Sequence, residues 1–93
     1  MKVIITKEAK AELKASAEWY ESRQKGLGKR FLKTIKDEVS FLRKNPDAAV
    51  TQYKDVRTTV VSVFPYLIHY YVKEDSIIII GVLHTSLNPV NRK

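Results

Sequence analysis

Between Lys7 and Gln24 the small and apolar residues Ala9, Leu13, Ala17 and Tyr20 recur at helical spacing, with Ser16 alongside. Lys14, Glu18 and Glu21 fall on the other side of that helix. Trp19 lies about a quarter-turn off the apolar stripe, so it is expected to flank the core and not to centre it. Ahead of this segment, Val3-Ile4-Ile5 is a short apolar run of strand type, and Thr6 is placed to act as the helix N-cap.

Gly26-Leu27-Gly28 interrupts the helical pattern with two conformationally permissive residues. A second helix is predicted from Lys29 to Lys44, with Phe31, Leu32, Ile35, Val39 and Leu42 on one face. Asn45-Pro46-Asp47 stops it, because proline cannot continue a helix and disfavours helical dihedrals in the residue before it. Two amphipathic helices joined by a short turn form an αα-hairpin.

After Asp47 the period falls from 3.6 to 2. Val56, Thr58, Val60, Ser62 and Phe64 alternate with Arg57, Thr59, Val61 and Val63, and Tyr66, Ile68, Tyr70 and Val72 alternate with Leu67, His69 and Tyr71. Lys73-Glu74-Asp75-Ser76 is a polar turn, and Ile77 to Leu83 is a continuous apolar run, the mark of a central strand covered on both faces. A further short strand is expected near Gln52–Lys54. The predicted class is α+β: an N-terminal strand, an αα-hairpin, then a three- to four-stranded antiparallel sheet, in one domain over residues 1–93. Leu13, Tyr20, Phe31, Ile35, Val39, Leu42, Val60, Ile68, Ile78 and Ile80 are the expected core.

Charge narrows the choice of partners. Seventeen basic residues against ten acidic give a net charge of +7, which favours polyanions: nucleic acid, an acidic protein segment or an anionic surface. The longest apolar run is far too short to span a bilayer, so no membrane association is expected, and the chain reads as cytoplasmic. With no cysteine, neither a disulfide framework nor a thiolate zinc site is available. Two histidines without a carboxylate cluster do not make a metal site, and Gly26-Leu27-Gly28 lacks the preceding strand and spacing of a phosphate loop. No cofactor is expected.

Four features can carry function. Lys29, Lys33, Lys36, Arg43 and Lys44 fall within about a 100° arc of helix 2, opposite its apolar stripe, with Arg30 at the edge. That arc is either a solvated face or a landing strip for a phosphate backbone or an acidic protein. Arg57 opens a strand of Val and Thr, where a cation must reach an edge, face a ligand or pair with a carboxylate such as Asp55. His84 ends the most apolar strand, either as a core-edge residue or as a proton-transfer group. The tyrosines in the carboxyl half could stack bases, but Tyr66 and Tyr70 enclose Ile68 on one face, which core packing explains more simply.

Ala9, Trp19-Tyr20, Gly26-Leu27-Gly28 with Arg30-Phe31, Asn45-Pro46, Val56-Arg57, Phe64-Pro65-Tyr66, Ile68 with Tyr70, and Val82-Leu83-His84 with Asn88-Pro89 follow one another in an order and spacing that resembles the RelE/ParE family of bacterial toxin–antitoxin systems. The resemblance covers essentially the whole chain. It implies a helical hairpin on an antiparallel sheet, a cognate antitoxin with an amphipathic segment that folds on the toxin, a toxin–antitoxin hetero-oligomer, and growth arrest.

Two mechanisms occur in the family. RelE-like members are ribosome-dependent mRNA interferases that cut messenger RNA without a metal, and ParE-like members are inhibitors of DNA gyrase. For RNA cleavage, the resemblance would make His84 and Arg57 catalytic, with Lys54 auxiliary. Many relatives carry arginine three residues after the histidine, where this chain has Leu87. Losing that cation removes a stabiliser of phosphate charge, which favours the ParE-like, non-enzymatic reading. A third reading is a decayed toxin that only binds antitoxin.

Overall fold

The computed structural model describes residues 1–85. Its elements, in chain order, are β1 (Lys2–Ile5), α1 (Lys7–Arg23), α2 (Leu27–Lys44), β2 (Val50–Tyr53), β3 (Val56–Val60), β4 (Tyr66–Lys73) and β5 (Ser76–His84). The hydroxyl of Thr6 accepts the Ala9 amide at 3.2 Å, which caps α1 as its sequence suggested. Helix α2 begins two residues earlier than expected, because Gly26 takes a left-handed φ of 87° and serves as its N-cap.

The carboxylate of Glu21 holds this turn. It accepts the amides of Gly26 at 2.8 Å and Gly28 at 3.0 Å, two of the donors that a helix start leaves unpaired. Those two bonds hold the Glu21 carboxyl below the usual carboxylate range. At Gly28 a side chain would collide with the backbone carbonyl of Ala17, so the close crossing of the two helices depends on glycine there.

The strands form a single five-stranded sheet in the order β1-β5-β4-β3-β2. From β2 to β5 it is an antiparallel meander, as predicted, while β1 pairs in parallel with β5. Strand β5 therefore lies inside the sheet, as its unbroken apolar run required. The core joins Phe31, Ile35 and Leu42 of α2 and Ala9 and Ala17 of α1 to Ile68, Tyr70, Ile77, Ile79 and Val82 of the sheet. Leu13, Tyr20 and Val39 are partly buried against it.

Three expected core positions are corrected. Val60 is 67 % exposed, and Ile78 and Ile80 are only half-buried while Ile77 and Ile79 are buried. On β3 the inward residue is Thr59, whose hydroxyl donates to the Glu38 carboxylate of α2 at 3.0 Å, and Val60 therefore points the other way. On β5 a register irregularity opposite His69 and Tyr70 shifts the alternation, so that Tyr70 faces Ile79 and Ile68 faces Val82.

Between β3 and β4 the chain turns a tight corner. The Phe64 amide donates to the Ser62 carbonyl at 2.8 Å around Val63, which has a φ of 75°, and the Tyr66 amide donates to the Phe64 carbonyl at 2.8 Å around Pro65. This pair of turns drives Phe64 and Tyr66 into the core and leaves Val63 exposed. No helix of the described residues is long and apolar enough to cross a membrane.

Candidate functional site

Arg57 and His84 sit at opposite ends of the sheet. Arg57 pairs with Tyr70 and His84 with Tyr66, on either side of β4. Four residues along a strand and two strand spacings across it put their backbones roughly 16 Å apart.

Each is held by different chemistry. The Arg57 guanidinium donates to the Ala49 carbonyl at 2.7 Å and meets the Asp47 carboxylate at 3.5 Å. Beside it the buried Tyr70 hydroxyl donates to the Pro46 carbonyl at 2.9 Å, and burial pushes that phenol above its ordinary pKa. Together the two side chains fasten the segment from Pro46 to Ala49, which leads out of α2, onto the sheet. The carboxylate that meets Arg57 is Asp47 and not its sequence neighbour Asp55, which lines the same shallow hollow. Lys54 lies exposed in the β2–β3 turn with a φ of 46°.

His84 stands edge-on to Tyr66 with ring centroids 5.4 Å apart. Behind it an aromatic cluster fills the corner: Tyr20 to Phe64 at 4.9 Å, Phe31 to Tyr66 at 4.9 Å and Phe31 to Phe64 at 5.2 Å, mostly edge-to-face. The Thr85 amide donates to the Pro65 carbonyl at 2.8 Å and ties the end of β5 to the corner. Between α1 and this corner lies a cleft of about 520 Å³ that His84 lines. Leu87, which the resemblance brought into question, lies outside the described residues.

The third candidate surface is the outer face of α2. Lys29, Lys33, Lys36, Arg43 and Lys44 are all exposed, as their arc predicted. Lys33 pairs with Asp37 at 3.0 Å, one turn along and just outside the arc, so part of its charge is answered locally. Leu32, 43 % exposed, lies among Lys29, Lys33 and Lys36 and gives the basic face an apolar strip. An exposed leucine flanked by cations fits an amphipathic acidic segment better than a bare phosphate backbone.

His69, one of the alternating residues of β4, is a packed structural residue. It is 2 % exposed, its Nε2 has no hydrogen-bond partner, and burial holds its pKa below the ordinary histidine value. Its place in a run of aromatics on a central strand was the only signal for this. Among the described residues, no three His, Cys, Asp or Glu side chains come together to hold a metal ion.

These features define a class: a small basic domain with an αα-hairpin over one face of a five-stranded sheet, with an exposed row of cations on its second helix and an aromatic cleft beside its first. Residues 3–89 match the family model of the ParE toxin of type II toxin–antitoxin systems, parDE, and the chain belongs to that family. Its fold is similar to that of a solved structure described as the chromosomal ParDE TA system from P. aeruginosa, with a TM-score of 0.68 over 90 % of this chain and 95 % of that one. The two sequences are 23 % identical, so this likeness speaks for the fold alone. No curated protein gave a match.

Proposed function

We propose that this protein arrests growth by binding and poisoning DNA gyrase, without catalysing a reaction of its own, and that a cognate antitoxin neutralises it. The observation that supports a non-enzymatic mode is the separation of Arg57 from His84. Metal-free cleavage through a 2′-hydroxyl needs a base, an acid and a cation around one phosphate. Here the strand-end histidine and the strand-opening arginine belong to different ends of the sheet, and the guanidinium is committed to Ala49 and Asp47.

The antitoxin reading rests on α2. An acidic amphipathic segment would lay apolar side chains against Leu32 and carboxylates toward Lys29, Lys36, Arg43 and Lys44. Such contacts give the complex a toxin–antitoxin hetero-oligomer as its resting state.

The test pairs a gyrase supercoiling assay with primer extension on messenger RNA after induction. Inhibition of supercoiling with intact message is the expected result. Position-specific message cuts that fall roughly 10²–10⁴-fold in His84→Ala would overturn it in favour of a ribosome-dependent nuclease.

A further inference from the structure

Strand β1 lies at the end of the sheet, and β5 is its one neighbour among the described strands. The Lys2 amide donates to the Asp75 carbonyl at 2.9 Å and the Thr6 amide to the Ile79 carbonyl at 3.0 Å, so the even-numbered residues bond toward β5. By the alternation of a strand, Val3 and Ile5 turn their N–H and C=O groups outward. The opposite edge, β2, carries a register shift between Thr51 and Tyr53, which breaks the regular row that a further strand needs. The register of β1 runs without a break.

Val3 and Ile5 also floor a groove of about 270 Å³, walled by Leu13 of α1 and by Leu32, Ile35 and Val39 of α2. On the other face of β1 the Ile4 side chain is 48 % exposed. An outward-facing row of backbone groups and apolar side chains on both of its faces therefore coincide, and these are what strand addition uses.

Charge selects the occupant. Lys36 and Arg43 line the groove, and among the described residues no carboxylate does. The hollow next along α2 adds Lys29, Arg30 and Lys33 against one carboxylate, Asp37, which pairs with Lys33. Around β1 itself the signs are mixed: Lys2 and Lys7 stand with Glu8, and the turn beside Lys2 carries Lys73, Glu74 and Asp75. Glu12 of α1 is engaged by the Val82 amide at 2.9 Å. The excess of cations is thus on the α2 side of the groove. A second copy of this chain would bring its own +7 to that edge, whereas an acidic segment is drawn to it.

We propose that the cognate antitoxin adds a strand to the outer edge of β1, with alternate apolar side chains over Val3 and Ile5 and carboxylates toward Lys36 and Arg43. This contact rests on the antitoxin reading and specifies its geometry. The backbone groups of Val3 and Ile5 supply affinity, and the groove selects an acidic segment with apolar side chains at every second position.

Hydrogen exchange, followed residue by residue by nuclear magnetic resonance, reads the edge directly. In the free protein the amides of Val3 and Ile5 should exchange fast and those of Ile4 and Thr6 slowly. In the complex with the antitoxin, Val3 and Ile5 should slow by about tenfold or more, as a new backbone hydrogen bond requires. Val3→Pro removes one outward donor at a position where an edge strand tolerates proline, and Val3→Ala removes only side-chain bulk. Measured by calorimetry, Val3→Pro should weaken the complex between about twofold and about tenfold more than Val3→Ala does, the range for one lost hydrogen bond. Arg43→Glu should weaken it more at low salt than at high salt.

Circular dichroism checks that each variant is folded, and the exchange pattern decides the matter without a variant if Val3→Pro does not fold. Failure of the unmodified proteins to form a complex overturns both this contact and the antitoxin reading. A complex in which Val3 and Ile5 exchange as in the free protein overturns strand addition alone and leaves the antitoxin reading standing. So does a folded Val3→Pro that binds as tightly as Val3→Ala. Unchanged affinity in Arg43→Glu at low salt overturns the acidic character assigned to the added strand.

Discussion

The two ends of the sheet hold their polar residues in opposite ways. At one end Arg57 is inward and spoken for, its guanidinium bonded to Ala49 and Asp47 beside a tyrosine bonded to Pro46. At the other, His84 rests on an aromatic cluster at the edge of a cleft. A strand-end cation and a strand-end histidine look alike in a sequence. What separates a buttress from a cleft wall is the loop each meets, and that depends on pairings between separate strands.

The sharpest way to break this comparison is to remove the residue on which the aromatic end is built. Phe31 is fully buried and stacks with Tyr20, Phe64 and Tyr66. Phe31→Ala should cost about 3–5 kcal/mol in chemical denaturation, and Ile35→Ala or Leu42→Ala about 2–5 kcal/mol. A loss below about 0.5 kcal/mol at all three would mean that the helical stripe does not carry the core.

The next largest effect belongs to the Arg57 end. Arg57→Ala removes a guanidinium bond to a backbone carbonyl and should cost about 1.5–3 kcal/mol. His84→Ala, at the rim of a cleft, should cost less. If the order were reversed, with His84→Ala the more damaging to stability, the assignment of buttress and wall would have to be exchanged.

What was legible beforehand follows the same division. Helix α2 announced its apolar face because residues of opposite character alternate every turn, and its five cations appeared on the outer side where their arc put them. Strand β5 did not announce its phase. Ile77 to Ile80 are chemically identical, so nothing marks which of them face inward, and the register irregularity across from His69 and Tyr70 resets the alternation within the strand. Val60 misled for a different reason: Thr59 takes the inward place through a hydrogen bond to Glu38, which apolarity alone does not reveal. The parallel pairing of β1 with β5, like the tie between Arg57 and Asp47, joins residues distant in sequence. The aromatic cleft was half legible, as Trp19 was expected to flank the core, but its opposite wall comes from the two γ-turns at Val63 and Pro65.

Between the two ends lies His69, whose behaviour is a question of pH. Burial lowers its pKa in the folded protein, so the unfolded chain binds a proton more readily. Stability should therefore be full above the ordinary histidine value of about 6.5 and fall progressively as pH drops below it. His69→Leu should flatten that portion of the stability profile, measured by denaturant midpoints between neutral and mildly acidic pH. A wild-type slope that survives the substitution would place its origin in another group.

The smallest effect on the fold concerns the outer face of α2, and there the comparison changes from stability to binding. The Lys33–Asp37 pair is exposed on both sides, so removing it by Lys33→Gln should cost no more than about 0.5 kcal/mol. The same face, taken as the antitoxin contact, should answer strongly to charge. Reversing Lys33 and Lys36 together to glutamate should weaken the complex and flatten its dependence on salt, because exposed charge pairs are screened as ionic strength rises. Leu32→Asp separates the two contributions of that surface: it leaves the cations in place but puts a carboxylate on the apolar strip between them. An amphipathic partner should lose affinity with Leu32→Asp while keeping much of its salt dependence. A partner held by charge alone should barely respond to Leu32→Asp, and unchanged affinity in the double reversal would remove α2 from the interface.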